Sequence, residues 1–180
     1  NYVAACGFVP NMKLYFHEVE KARPCILIVP GGGYAVVSPS EGEIVAKKFY
    51  EMGYQTASAK PNAVILSYPV ITSGDCAHRG SFTALLGADA SEEELEYMSL
   101  EKQVTEDMPP CFLWQTAIDE LVPVQNSFLF AQALQEKKIP YAFHVFSKGK
   151  HGLSLADEAW ANEEVKQWPK LADEWIRTTL

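Results

Sequence analysis

The sequence predicts an α/β fold, in which a mostly parallel sheet is flanked by helices on both faces. Apolar runs without polar alternation, the pattern of strands buried on both faces, lie at residues 24–29, 62–68 and 110–117. Amphipathic stretches with helix-start and helix-stop residues alternate with these runs. Three glycines follow the first run, at the strand end where open α/β sheets bind ligands.

Composition favours a single domain over residues 1–180, because 48% of the residues are hydrophobic and can form one core. The formal net charge of −8 argues against nucleic acid or an anionic membrane as a partner. No set of side chains has the spacing of a metal site, so we expect no metal and no cofactor.

Targeting signals and cysteines bear on the compartment. The N-terminus lacks a basic-then-apolar signal pattern, and no apolar stretch reaches the roughly 20 residues of a membrane helix. We therefore expect a cytoplasmic protein, although a secretion signal that had been removed would leave no trace. The four cysteines lie far apart and are expected to be reduced and structural: Cys6, Cys25, Cys76 and Cys111.

The apolar run within residues 24–34 is predicted to be the central strand, and it ends in Gly31, Gly32 and Gly33. Glycines at this position leave backbone N–H groups uncovered, so the loop could bind a developing oxyanion. A glycine-rich turn without a ligand is the alternative. After the loop, Ser40 and Glu43 form a capping-box pattern that predicts a helix start.

The next segment breaks the alternation of strands and helices. Gly53 is placed to end the helix, and residues 54–58 look like the following strand. Residues 62–68 already look like another buried strand, and only 59–61 separate the two. Parallel neighbours need a crossover of about a dozen residues. The two segments therefore form a hairpin, merge into one strand, or have lost a piece of chain between them.

The rest of the chain returns to the pattern. A small helical excursion is expected at about 74–108, with short helices near 81–86 and 91–98. The elements predicted after it are a strand at 110–117, a helix at about 124–138, a strand at 141–147 and a last helix opening at Trp168-Pro169.

Polar residues follow two of the predicted strands. Asp119 comes after the strand at 110–117 and His151 after the strand at 141–147. A right-handed crossover places both loops on one rim of the sheet, beside the glycine loop. A carboxylate, an imidazole and backbone donors are three of the four parts of acyl-transfer chemistry, and the fourth is a nucleophile.

Three segments carry a resemblance to a known family: Pro-Gly-Gly-Gly-Tyr at 30–34, Gln-Thr-Ala-Ile-Asp-Glu-Leu-Val-Pro at 115–123 and Phe-Ser-Lys-Gly-Lys-His-Gly-Leu at 146–153. They resemble the α/β hydrolases, and within them small acetyl esterases and acetylxylan-esterase-like carbohydrate esterases, along nearly the whole chain. The resemblance implies that Asp119 is the triad acid and His151 its base. It implies Gly32 and Gly33 as oxyanion donors. Pro30 stands where many relatives have histidine, which should alter loop orientation more than the donors.

The nucleophile of that family is missing. Its serine lies in a Gly-x-Ser-x-Gly elbow, and no such motif occurs in the 180 residues. The resemblance implies that the elbow belongs at residues 56–61, where the topology is also inconsistent, so we hypothesise that an internal segment is absent near residues 54–62. Consecutive α-carbons much farther apart than about 3.8 Å would mark the break. Ser58 is a weak substitute because no glycines flank it, and three others have still less support: Ser67, Ser73 and Cys76.

Two functions follow from these observations. The resemblance implies a serine carboxylesterase that removes acetyl or other short acyl groups through an acyl-enzyme, with acetylated sugars among its candidate substrates. The alternative is a non-catalytic hydrolase-fold protein that binds a ligand or partner, which the missing nucleophile favours. The sequence leaves the acyl group, the alcohol and the oligomeric state open.

Overall fold

A computed structural model of the chain describes residues 25–33, 38, 40–54, 61–157 and 162–180. Its sheet has three parallel strands in the order β1–β2–β3. These are β1, Val64–Ser67; β2, Cys111–Thr116; and β3, Tyr141–Phe146. Parallel strands joined by helical crossovers confirm the predicted α/β class.

Helices fill the connections between the strands. Before β1, a π-helical turn, Ser40–Ile44, continues as α1, Val45–Glu51. Between β1 and β2 lie α2, Arg79–Leu86; α3, Glu92–Tyr97; and a 3-10 turn, Leu100–Lys102. The connection from β2 to β3 contains α4, Gln125–Glu136, and β3 is followed by a second 3-10 turn, Val165–Gln167, and α5, Trp168–Thr179. Gly53 follows α1 with a φ of 98°, as a helix-ending residue does. None of the helices in the described part of the chain is long and apolar enough to cross a membrane.

Local signals set two of the helix starts. Ser91 and Glu94 make the predicted capping box at α3, with both reciprocal hydrogen bonds present. Pro169 occupies the first turn of α5, where its missing N–H costs nothing. The helix at Ser40 begins where predicted, but its first turn is π-helical rather than α-helical.

The core is built around β2, whose six residues are all buried. Side chains alternate between the two faces of this strand. Trp114 packs on one face, where its ring stacks on Trp168 of α5 with centroids 5.2 Å apart. Leu113 packs on the other face against Phe130 and Leu134 of α4. Helices therefore cover β2 from both sides, as its apolar sequence predicts.

The prediction of a central strand buried on both faces is wrong for residues 26–30 of this chain. They form no described ladder, only an isolated bridge at Cys25, which is itself exposed rather than buried. The side chains of Leu27 and Val29 are 56% and 81% exposed, while Ile26 and Ile28 pack on the core. One face of the segment is therefore covered and the other is open, because no described element lies over it.

The strand predicted at 62–68 is present as Val64–Ser67 and is only partly buried. Among the described residues β1 pairs with β2 alone. The strand predicted at 54–58 and the expected break between α-carbons fall mainly on residues 55–60, which lie outside the described part of the chain. The same is true of Ser58 and Cys6, and Cys76 and Cys111 are free thiols.

Candidate active site

The carboxylate of Asp119 and the imidazole of His151 meet at the carboxyl ends of β2 and β3. Asp119 Oδ2 lies 2.8 Å from His151 Nδ1. A carboxylate only accepts hydrogen bonds, so Nδ1 carries the proton and Nε2 is the basic nitrogen. The Asp119 side chain is fully buried and that of His151 is 24% exposed. A buried acid thus orients an imidazole that substrate could reach.

The loop after β2 holds Asp119 in its ionised form. Oδ1 accepts hydrogen bonds from the backbone N–H groups of Leu121 and Val122, each at 3.0 Å. Burial alone would raise the pKa of Asp119, but the hydrogen bonds from His151 and the two amides, together with the charge of the imidazole, keep the pKa below its usual value. The acid therefore remains an anion at neutral pH.

Gln115, the fifth residue of β2, fixes this loop. Its Nε2 donates to Val122 O at 2.5 Å and lies 3.4 Å from Asp119 Oδ2, while its Oε1 accepts from Ser127 Oγ at 2.5 Å. The side chain is completely buried. Sequence reasoning did not single out Gln115, although a lone amide within an apolar strand was the available signal.

Gly149 shapes the loop that carries His151. Its carbonyl accepts a hydrogen bond from Thr116 Oγ1 at 2.7 Å, which fastens the loop to the end of β2. Its φ is 142°, and a Cβ built there would lie 2.7 Å from Leu153 Cδ1 and 2.8 Å from Thr116 Cγ2. Only glycine fits this position without displacing its neighbours.

The glycine loop lies near the same site. Gly33 has a φ of 58°, a left-handed conformation that favours glycine. A Cβ built on Gly31 would lie 3.0 Å from Glu41 Oε2, so the loop passes directly beside that carboxylate. The role of Gly32 and Gly33 as oxyanion donors stays a prediction.

Tyr68, the residue after β1, connects the glycine loop with the histidine. Its ring contacts the His151 ring edge to face, with centroids 4.8 Å apart. Its hydroxyl donates to Glu41 Oε1 at 2.5 Å. Sequence reasoning missed both Tyr68 and Glu41, because their partners lie far away in the chain.

None of the substitute nucleophiles that the structure describes is joined to His151 by a described contact. Ser73 Oγ is hydrogen-bonded to Ser99 Oγ at 2.7 Å, and the carbonyl of Cys76 accepts from Asn126 at 2.8 Å. Ser67 ends β1. Within the described ranges, no three His, Cys, Asp or Glu side chains form a group that could bind a metal ion.

Comparison with known sequences gives two matches. A model of the prolyl oligopeptidase family matches residues 66–177. Endo-1,4-beta-xylanase B of Butyrivibrio fibrisolvens is 36% identical to the chain, over 88% of the chain and 37% of that protein. The chain thus spans little more than a third of the length of this relative.

Solved structures agree with these matches. An acetyl ester-xyloside bifunctional hydrolase from Caldicellulosiruptor lactoaceticus superposes with a TM-score of 0.89 at 27% identity, covering 97% of this chain and 90% of that one. A sugar hydrolase from Lactococcus lactis gives 0.76 at 22% identity, covering 95% and 96%. These similarities confirm the α/β-hydrolase fold that the motifs implied.

The xylanase alignment also reveals a difference in length. It extends over 233 positions, whereas the matched part of this chain, 88% of its 180 residues, is only about 158 residues long. The relative has residues at about 75 positions where this chain has none. Residues of the relative are therefore missing from within the matched part of this chain.

Proposed function

The chain belongs to the prolyl oligopeptidase family, and from that premise we propose that its parent protein is a serine carboxylesterase that removes acetyl or other short acyl groups. The observation that carries this proposal is the 2.8 Å hydrogen bond between the buried Asp119 carboxylate and His151 Nδ1. The acetyl ester-xyloside hydrolase and the xylanase among the similar proteins support acetylated carbohydrates as substrates.

In this mechanism a serine hydroxyl attacks the acyl carbon of the ester and passes its proton to His151 Nε2. Asp119 keeps the imidazole in the correct tautomer and stabilises the imidazolium. The backbone N–H groups of Gly32 and Gly33 donate to the oxyanion. The alcohol leaves with the proton from His151, and water, deprotonated by the same nitrogen, hydrolyses the acyl-enzyme.

We place the nucleophilic serine in an internal segment that this chain lacks, between residues 54 and 62. Three observations support this. The relative has about 75 more residues than this chain within the aligned region. Leu27 and Val29 expose an apolar face beside the glycine loop. Among the described residues, β1 has a partner on one edge only. A further strand of the missing segment would lie between residues 26–30 and β1, and would end beside His151.

A second candidate function is ligand or partner binding without catalysis. The absence of a Gly-x-Ser-x-Gly motif from all 180 residues favours it for the chain as it stands. If the segment has been deleted in the gene, the nucleophile and its supporting strand are lost together, and the protein should not hydrolyse esters.

The test needs a protein with the segment in place. We define the restored protein as this chain with the internal segment its gene encodes or, if the gene encodes none, the corresponding segment of the xylanase B relative. Hydrolysis of p-nitrophenyl acetate and of an acetylated xylo-oligosaccharide is measured for the restored protein, its His151→Ala variant and the 180-residue chain.

We expect the restored protein to hydrolyse both esters, and His151→Ala to lower kcat/KM on the order of 10³-fold or more. The 180-residue chain should show no activity above background. A restored protein that folds but hydrolyses neither ester would rule out the esterase proposal and favour the binding function. Full activity in His151→Ala would remove that residue from the mechanism.

A further inference from the structure

Tyr68 lies where three parts of the proposed site come together. It follows β1 directly, its backbone N–H donates to Trp114 O at 2.8 Å, and its side chain is buried. Its ring contacts both His151 and Trp114 edge to face, with centroid distances of 4.8 Å in each case. The ring is therefore fixed between the core and the imidazole.

The hydroxyl of Tyr68 extends this contact to the glycine loop. It donates to Glu41 Oε1, and Glu41 Oε2 lies against Gly31. Burial and the neighbouring carboxylate both raise the pKa of Tyr68, so the hydroxyl stays protonated and able to donate. One side chain thus joins the base of the proposed mechanism to the loop proposed to bind the oxyanion.

The loop that carries the histidine is fastened to the same hydroxyl. Ser154 donates its backbone N–H to Tyr68 Oη at 3.2 Å, and its own hydroxyl donates to Ser40 O at 2.5 Å. The carbonyl of Ser154 accepts from Trp168 Nε1 at 2.8 Å. One hydrogen-bond network therefore connects the loop after His151 with the helix start at Ser40 and with the glycine loop.

The backbone of Tyr68 is strained. Its φ of 39° falls in the left-handed region, which a residue with a bulky side chain rarely adopts. Such a conformation is unfavourable for a residue other than glycine and persists only where the surroundings impose it. In this conformation the ring contacts His151 and the hydroxyl donates to Glu41.

We propose that Tyr68 is a positioning residue, which couples the orientation of the His151 imidazole to the position of the glycine loop through Glu41. The inference rests on the proposed esterase function. It goes beyond that function because neither residue takes part in the acid, base or oxyanion chemistry.

Substitutions can remove the hydroxyl contacts of Tyr68 and its ring contact with His151 separately. Tyr68→Phe keeps the ring but removes the hydroxyl bonded to Glu41 and Ser154. Tyr68→Leu removes the ring that contacts His151. Glu41→Gln keeps a carbonyl acceptor for the tyrosine, whereas Glu41→Ala does not.

Tyr54→Phe is the matched control. Tyr54 is also buried, and its hydroxyl also donates to a carboxylate, Asp173 Oδ1, at 2.7 Å. The contacts of this pair lie at α1 and α5, away from His151. An effect of Tyr68→Phe that Tyr54→Phe lacks is therefore not the general cost of losing a buried tyrosine hydroxyl.

Kinetics of the restored protein with p-nitrophenyl acetate test the link to the glycine loop. We expect Tyr68→Phe and Glu41→Ala to lower kcat by about 10-fold or more with KM changed little, because small misplacements of reacting groups are costly. The double variant should lose no more than either single one, since both break the same link. Glu41→Gln should lose less, and Tyr54→Phe should stay within about twofold of the parent.

Nitrogen NMR of the 180-residue chain tests the link to the imidazole and does not depend on esterase activity. The His151 signals are assigned by their loss in His151→Ala. We expect Tyr68→Phe to leave the His151 nitrogen signals close to those of the parent chain. Tyr68→Leu should shift or broaden them, because the imidazole loses the ring that packs against it while Asp119 still accepts from Nδ1. Unchanged His151 signals in Tyr68→Leu, or a kcat for Tyr68→Phe equal to that of Tyr54→Phe, would overturn the proposal. An inactive restored protein would instead count against the esterase function.

Discussion

Two apolar runs of the chain differ sharply in burial. In the run that forms β2, Trp114 is completely buried between β1, β3 and the helices. In residues 26–30, which we call the glycine segment because they lead into the glycine loop, Val29 is 81% exposed. Burial of a strand depends on the elements that flank it, so a fully apolar run with one open face indicates a neighbour that is not among the described residues.

The same contrast divides the proposed active site. Asp119 and His151 are surrounded by hydrogen bonds that satisfy the acid and fix the imidazole. The described contacts of the glycine loop are fewer: Ser38 N–H donates to Gly31 O at 2.9 Å, and the Glu41 carboxylate, which accepts from Tyr68, lies beside Gly31. The proposed acid and base therefore meet within this chain, whereas we place the proposed nucleophile in the segment that the chain lacks.

The largest expected effect comes from a substitution in the proposed acid-base pair. In the restored protein, Asp119→Asn should lower kcat on the order of 10³- to 10⁴-fold, because an amide facing Nδ1 favours the wrong imidazole tautomer. Rates of p-nitrophenyl acetate hydrolysis measure the effect. Asp173→Asn is the control, since that carboxylate lies in an ion pair with Arg177 on α5. A loss of less than 10-fold in Asp119→Asn would contradict the assigned role.

Truncations of Trp114 in β2 and of Val29 in the glycine segment compare the two apolar runs directly. Trp114→Ala should destabilise the 180-residue chain by about 3–5 kcal/mol, because a buried aromatic side chain is replaced by a cavity. Val29→Ala should cost less than about 0.5 kcal/mol in the same chain, since its side chain is already exposed. Urea unfolding measures both.

A truncation of Leu27 in the glycine segment, made both in the 180-residue chain and in the restored protein, sharpens the comparison. If the missing segment covers the glycine segment, Leu27→Ala should become more costly there, by about 2 kcal/mol or more. An equal, small cost in both proteins would show that the segment lies elsewhere.

Glycine substitutions give an intermediate effect. Gly149→Ala should destabilise the chain by about 1–3 kcal/mol, because its Cβ would overlap Leu153 and Thr116 and its φ is unfavourable. Gly33→Ala should cost less, about 1 kcal/mol, since the nearest atom to its Cβ would be Ser81 Oγ at 3.7 Å. Thermal unfolding of the two variants ranks them. The reverse order would mean that the glycine loop is the more tightly packed region.

The smallest effect concerns pH. The pKa of Asp119 is lower in the folded protein than in the unfolded chain, so its ionised form stabilises the fold above the unfolded value of about 3.9. That contribution is lost as the pH falls through the lowered folded pKa. Urea midpoints between pH 7 and pH 3 should therefore converge for the parent chain and Asp119→Asn at the acidic end. A constant difference over the whole range would contradict the lowered pKa.

Sequence reasoning succeeded where local patterns were sufficient. The apolar run of β2, the capping box at Ser91 and the loops of Asp119 and His151 each have a signal within a few residues. It failed for Val29, because the burial of a strand depends on neighbours that the run itself does not specify.

The same limit explains the residues that were missed at the site. Tyr68 and Glu41 are 27 positions apart, and each on its own looks like an ordinary strand-end or helix residue. Only the fold brings them together. The hypothesis of a missing segment that carries the nucleophile stays a prediction, and it rests on two independent signals at one junction: an absent motif and a connection too short for a parallel crossover.

The most direct test of the central claim is labelling of the restored protein with an alkyl fluorophosphonate, followed by mass spectrometry of the modified peptide. The reagent bonds phosphorus to an activated serine oxygen as fluoride leaves and the serine proton passes to the base. We predict one modified serine, in the internal segment that this chain lacks, and its loss in His151→Ala. Modification of a serine within the 180 residues, or labelling unaffected by His151→Ala, would contradict the account.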